Sequence, residues 1–350
     1  MAAPNPENVI NSLCILRLSA IGDVTHMVPI IHSLQKFSPD TKITWIVGKT
    51  EFKLLDGIPN VEFIQFDKKR GINAYFDIIK LLRDRQFDIL LACQVSLRAN
   101  ILTAMIHAKR KIGYDKARAK DLHSFVINES ILPGDIHVLD SFFQFLEKIG
   151  ITHKSLDWNI PIPESDLLFA KQTIPDDKPV MAISPCSSHP LRNWQISSYA
   201  EVANYAIEHY GMQIVLLGGP TDTEKDYGKR IDALLKSPSI NLIGKDTLKK
   251  LLAVLKRCTV LVSPDSGPAH MAACADLPVI GLYAASNSLR SGPYLSLPWS
   301  VDKYSDAALK YFKKPSDQLL WGTKIEKPGV MDLIQPEDVI MKLDQLMRNR

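Results

Sequence analysis

The chain has 350 residues, 46% of them hydrophobic and 23% charged, with a net charge of +4. That length exceeds one comfortable core, so two domains are the first expectation. The charge is too small for a global nucleic-acid footprint, and no nucleic-acid partner is expected. Five scattered cysteines, Cys14, Cys93, Cys186, Cys258 and Cys274, form no CxxC pair and read as buried free thiols in a reducing compartment. The opening MAAPNPE has neither the basic nor the apolar region of a secretory signal, and no apolar run reaches the ~18 residues of a membrane span. The cytoplasm is the expected compartment.

In chain order, residues 13–18 read as a strand, 27–37 as a helix, 43–47 and 61–66 as strands, and 72–85 as a helix. A strand at 89–93 and a helix at 98–108 follow. Between Arg98 and Lys120 seven basic residues face Asp115 alone, a density that suits an anionic acceptor or a membrane surface as well as a solvated helix face. Breakers concentrate in 157–178 and mark a domain boundary. The pattern then restarts, with strands at 180–184, 213–217, 241–243, 259–262 and 279–283 and helices at 197–209, 223–235 and 247–256. A final amphipathic helix is expected at 336–347. Alternating strands and helices predict an α/β chain with two doubly wound, Rossmann-like domains, over 1–165 and 166–330, followed by 331–350. Ligands of such sheets bind at the carboxyl ends of the strands, so a cleft between two such edges is the expected site.

Three segments carry chemistry. In 17–26 (RLSAIGDVTH) a strand leads through Gly22 into a helix expected to begin near Thr25 or His26, which would suit Pro29. Asp23 is then either an N-cap or a general base, with His26 next in line. In 183–194 (ISPCSSHPLRNW) the hydroxyls of Ser187 and Ser188 and the cation of Arg192 follow a strand and compose a diphosphate grip or a polar surface loop. In 262–273 (VSPDSGPAHMAA) a buried strand turns through Asp265, Ser266, Gly267 and Pro268 into a small-residue helix. Its N-terminus is a ready phosphate site, with His270 one turn from Ser266. Glu224, after the glycines of 217–224 (LGGPTDTE), could meet a ribose. The P-loop-like VGKT at 47–50 lacks the upstream glycine, and Ser266 with His270 lacks a nucleophile elbow. No Asp-x-Asp pair and no metal-ligand spacing occurs, so metal-dependent sugar transfer is disfavoured, and neither a metal nor a cofactor is expected.

Together, residues 19–26, 187–194 and 265–270 resemble glycosyltransferase family 9, the lipopolysaccharide heptosyltransferases. Residues 114–123 (YDKARAKDLH) resemble, more weakly, its heptosyltransferase I branch acting on a phosphorylated Kdo. The resemblance implies a GT-B fold whose last helix, 331–350, returns to the first domain. It implies an ADP-L-glycero-D-manno-heptose donor, a Kdo-lipid A acceptor and metal-independent inversion. It makes Asp23 the base and assigns the donor to Ser187, Ser188, Arg192, Glu224, Asp265, Ser266, Gly267 and His270. Arg98, Lys120 and His137 would hold the acceptor, with the enzyme peripheral on the anionic inner face of the inner membrane. Arg192 stands where the branch has lysine, and Ser187 and Ser188 where it has threonines. The alternatives are a II- or III-type heptosyltransferase, a nucleotide-sugar epimerase, which needs no basic lipid-facing surface, and a non-catalytic binding protein, which would tolerate Asp23→Ala.

Overall fold

A computed structural model describes residues 10–174 and 176–349. The chain divides between Pro161 and Ile162 into two compact units.

The first unit runs Ser12–Leu16 (β1), Ile21–Phe37 (α1), Lys42–Gly48 (β2), Lys49–Leu55 (α2), Val61–Phe66 (β3) and Asn73–Leu82 (α3). It continues through Phe87–Ala92 (β4), Leu97–Met105 (α4), Ala108–Gly113 (β5), His123–Val126 (α5), Glu129–Ser130 (β6) and Val138–Lys148 (α6). The second unit contains Glu164–Thr173 (α7), Val180–Ile183 (β7), Ile196–Tyr210 (α8), Gln213–Leu216 (β8), Asp222–Asp232 (α9), Ile240–Asn241 (β9) and Leu248–Leu255 (α10). Val260–Pro264 (β10), Gly267–Met271 (α11), Val279–Tyr283 (β11), Ser288–Ser291 (α12), Val301–Asp302 (β12), Tyr304–Phe312 (α13) and Pro336–Arg348 (α14) complete it.

Every strand pair is parallel, and the two sheets share one topology. The orders are β3-β2-β1-β4-β5-β6 and β9-β8-β7-β10-β11-β12, each the doubly wound 3-2-1-4-5-6 arrangement. The inner strands are short, continuous apolar runs buried along their length, as in VLVSP of β10 and VIGLY of β11, because helices cover both faces of a parallel sheet. The order in which strands are added reverses between β1 and β4 in one unit and between β7 and β10 in the other. These switch points are where ligands of such sheets bind.

Four expectations change. Helix α1 begins at Ile21, with Ala20 at its N-cap, so Gly22 is helical and Pro29 lies inside the helix. The Asp23 carboxylate accepts the Ala20 N–H at 3.2 Å, which anchors the earlier start. The helix expected at 98–108 ends at Met105, and 108–113 is a strand instead. Strand β5 (AKRKIG) carries few apolar residues, but its cations are matched: Lys109 meets Asp88 at 2.8 Å, Arg110 forks onto Glu129 at 2.6 and 2.9 Å, and Lys111 Nζ donates to the Thr103 carbonyl at 2.8 Å. The run from Arg98 to Lys120 is therefore not one basic face, since helix, strand and loop divide it and ion pairs neutralise much of it. The closing helix α14 places Val339, Leu343 and Leu346 in one core with Met181, Ile183 and Tyr199. Its apolar stripe packs on the second unit, against α8, β11 and β12, so the buried face of the helix belongs to that core.

Candidate functional site

The second unit gathers its chemistry at the β7/β10 switch point. Ser263, at the end of β10, shares a 2.7 Å hydroxyl contact with Ser266. Ser266 is the extended N-cap of α11, with Gly267 first and Pro268 second in the helix. A 3-10 turn, Ala272–Ala275, continues the helix.

Asp265 is the centre of a charge cluster. Lys324 Nζ donates to its Oδ2 at 2.8 Å, His270 Nε2 lies 3.7 Å from its Oδ1, and an Arg192 nitrogen stands 4.0 Å from Oδ2. Burial alone would raise this carboxyl, but His270 and Lys324 together hold it well below the usual carboxylate range. Lys324 is lowered, first by burial and then by repulsion from Arg192 and Arg290, while Asp265 pulls the other way. The Arg192 guanidinium, fixed by the 3-10 turn Pro190–Arg192, donates to Glu326 Oε1 through Nε at 2.8 Å and Nη2 at 2.5 Å. Arg192 and Lys324 thus hold two carboxylates, Asp265 and Glu326, with the charge of Arg290 near enough to repel Lys324. An incoming anion would meet an excess of positive charge already ordered by short contacts.

The flanking loops hold the remaining predicted donor residues. The Ser187 N–H donates to Asn193 Oδ1 at 2.8 Å, while Ser188 is exposed. Glu224 sits after β8 with both oxygens engaged: the Gly219 N–H donates at 2.7 Å and the Thr221 hydroxyl at 2.6 Å. Thr221, the N-cap of α9, accepts the Glu224 N–H at 3.3 Å, so Glu224 helps hold the helix start and the glycine turn, a structural duty that a ribose contact would have to share. Asp246, beyond β9, buries a carboxylate oxygen without a hydrogen-bond partner. Burial pushes its carboxyl up to about 6.

The first unit has its own cluster at the β1/β4 switch point. Arg17 ends the β1 edge, pairs with Asp23, and donates through Nη1 to the Cys93 carbonyl at 2.6 Å. Gln94 Oε1 accepts the Leu18 and Ser19 N–H groups at 2.7 and 3.3 Å, tying the β1 loop to the β4 loop. Asp23 therefore sits at a strand's carboxyl end, half-buried and oriented by Arg17 and by the Ala20 N–H. His26 is buried, with its ring edge-on to His137 at 5.4 Å. His137 is itself buried as the N-cap of α6, accepting the Leu139 N–H at 3.1 Å. Arg98 and Lys120 are exposed, and the Asn100 side chain joins their segments by donating to the Lys120 and Asp121 carbonyls at 3.1 and 2.7 Å.

The structure thus brings Arg192, Asp265, Ser266 and His270 together and places Asp23, Arg98, Lys120 and His137 in the other unit. Sequence reasoning missed Arg17, Arg290, Lys324 and Glu326. Arg17 lies inside a motif it did single out. The other three come from 290–326, where no spacing marks them and only the fold brings them to Asp265. Among the described residues, no group of three His, Cys, Asp or Glu side chains could hold a metal ion.

Residues 75–317 match the family model described as glycosyltransferase family 9 (heptosyltransferase). The chain belongs to glycosyltransferase family 9. It is 42% identical, over 96% of each chain, to the lipopolysaccharide core heptosyltransferase OpsX of Haemophilus influenzae. Among solved structures it resembles the family 9 glycosyl transferase of Veillonella parvula, with a TM-score of 0.80 and 23% identity over 98% of this chain and 99% of that one. It also resembles the E. coli heptosyltransferase WaaC with ADP, with a TM-score of 0.67 and 19% identity over 86% of this chain and 98% of that one. These neighbours share the fold of two Rossmann-like domains known as GT-B. As a family 9 member the chain is a glycosyltransferase, a heptosyltransferase of lipopolysaccharide core synthesis.

Proposed function

We propose that this family 9 enzyme is of the heptosyltransferase I type and moves L-glycero-D-manno-heptose from ADP-heptose to Kdo, in its phosphorylated form, on lipid A. The observation that carries the donor half is the Asp265 cluster, where Arg192, Arg290 and Lys324 outnumber their carboxylates at a switch point. A diphosphate leaving group needs such fixed cations, since charge developing on its oxygens must be stabilised as the sugar bond breaks. The same cations make the transfer independent of a metal. The 42% identity to a lipopolysaccharide core heptosyltransferase supports the sugar and the pathway.

In this reading the second unit holds ADP-heptose through Ser187, Ser188, Arg192, Glu224, Asp265, Ser266, Gly267 and His270, with Lys324 and Arg290 added. The acceptor hydroxyl attacks the anomeric carbon as the bond to the β-phosphate oxygen breaks, and the electron pair leaves with ADP. The hydroxyl proton passes to Asp23 while the new C–O bond forms, so the carboxylate need not remove it beforehand. In-line displacement inverts the anomeric centre. Arg17 fixes the direction of the Asp23 carboxylate. Arg98 and Lys120 are free to meet the carboxylate and phosphate of the acceptor, whereas His137, buried as an N-cap, shapes that surface from beneath. The enzyme works at the cytoplasmic face of the inner membrane, where its lipid-anchored acceptor lies.

The test is to incubate the protein with ADP-heptose and lipid A carrying one Kdo, a phosphorylated Kdo or two Kdo units, in EDTA, following ADP release and product mass. A mass gain of one heptose on the phosphorylated form is expected. Transfer only to an already heptosylated core would reassign the chain to a II or III type. Transfer only after Mg²⁺ is restored would overturn the metal-independent reading.

A further inference from the structure

The loop after β5 carries a feature that sugar transfer itself does not require. Leu122, Phe125 and Leu132 are 66%, 85% and 72% exposed, and Leu97 on α4 is also largely exposed. Large apolar side chains standing this far into water on neighbouring segments mark an interaction site. The segment is held firmly. His123, buried one residue after Leu122, contacts Asn100 Oδ1 through Nδ1 at 2.8 Å and accepts the Tyr114 N–H at Nε2, 3.0 Å away. Arg118 pairs with Asp115, donates to Ser141 Oγ at 3.0 Å and to the Leu132 carbonyl at 2.5 Å, and lies over the Tyr114 ring. Asp121 and Leu122 both adopt left-handed backbone, with φ of 53° and 67°, a conformation unfavourable for leucine. The Asn100 amide holds both flanking carbonyls, so His123 turns into the unit while Leu122 and Phe125 are presented outward. Around them Arg98, Lys116 and Lys120 are exposed and enter no ion pair among the described residues, with Asp121 the one carboxylate in the same turn.

We propose that this tip is a membrane-docking element: Leu122, Phe125 and Leu132 enter the interfacial layer of an anionic bilayer while Lys116 meets its headgroups, with Arg98 and Lys120 beside it facing the lipid-linked acceptor. Apolar anchors ringed by unpaired cations fit an anionic lipid surface, which rewards both at once. A second copy of this chain would bring like charges together. The inference rests on the lipid-linked acceptor of the proposed function and adds to it the element that makes contact. Docking would then depend on a rigid hydrophobic tip, not on the basic run as a whole, most of whose β5 cations are already paired.

The experiment is co-sedimentation with phosphatidylglycerol/phosphatidylethanolamine vesicles and with phosphatidylcholine vesicles. Wild type is expected on the anionic vesicles. The Leu122→Ser/Phe125→Ser double variant should partition at least ten-fold more weakly, and Lys116→Glu should lose binding to anionic vesicles selectively, with circular dichroism and Tm unchanged. Transfer to a deacylated, water-soluble acceptor should remain at the wild-type rate in the double variant. Equal vesicle binding by wild type and double variant would overturn the proposal, as would a concentration-dependent dimer abolished by the same two substitutions. Vesicle binding that needs the tip, in a protein without heptose transfer, would refute the proposed function and leave the docking assignment standing.

Discussion

Asp265 is the residue on which the proposed donor site turns, and its environment gives it a measurable signature. His270 and Lys324 overcome the penalty of burial and hold its carboxyl below the usual range. A depressed folded value means stability that is present above the ordinary carboxylate value and lost as pH falls through the folded one. Asp265→Asn leaves Lys324 and Arg192 without their shared carboxylate and should destabilise the second unit by about 3–5 kcal/mol. In thermal melts the gap between variant and wild type should be constant from about pH 8 to 5 and narrow only below about pH 4. A gap that closes near neutrality would show that Asp265 is not the paired group. Asp246 has the opposite sign. Burial raises its carboxyl to about 6, so its charge is tolerated only at a cost above that pH and relieved below it. Asp246→Asn should raise Tm by roughly 2–6 °C at pH 7.5 and leave it unchanged near pH 4; an equal gain at both would contradict the assignment. Asp265, Ser266 and His270 were legible in the sequence because they follow a strand within one turn. Lys324 and Glu326 were not, because their contacts with Asp265 and Arg192 span 59 and 134 residues.

At the scale of elements, the sequence was read well where an apolar run is buried on both faces and poorly where polar groups are satisfied by neighbours. The limits of β11, buried along its whole length, agree with its run. Strand β5 was missed because Lys109 and Arg110 look solvated until Asp88 and Glu129 are placed opposite them. The start of α1 was set four or five residues late because Pro29 suggested a helix beginning, whereas the Ala20 N–H to Asp23 contact begins the helix earlier. The β5–α5 connection gives a direct test of how tightly that loop is held. A Cβ added at Gly113 would collide with His123 Nε2 and lie 2.7 Å from Ile127 Cγ2. Gly113→Ala should therefore destabilise the first unit by about 1–3 kcal/mol and raise the hydrogen-exchange rate of residues 114–126. Unchanged exchange there would mean that His123 is not the anchor of the loop.

Across the whole molecule, one sheet order occurs twice, and each copy carries its chemistry at its own switch point. The alternation of strands and helices made this α/β architecture legible. The destination of α14 was not, since an amphipathic stripe states that a face is buried and not which core receives it. The division of labour between the units, a base at the β1 edge and a diphosphate site at the β10 edge, is the central claim, and Asp23→Asn tests it most directly. Asparagine keeps a side-chain oxygen that can accept the Ala20 N–H but takes no proton from the acceptor. With ADP-heptose and the Kdo acceptor, the variant should lose roughly 10²–10⁴-fold in kcat, while calorimetric titration with ADP gives a Kd within about two-fold of wild type. A folded Asp23→Asn protein with near wild-type turnover would contradict the account, as would one whose ADP affinity fell in step with its rate.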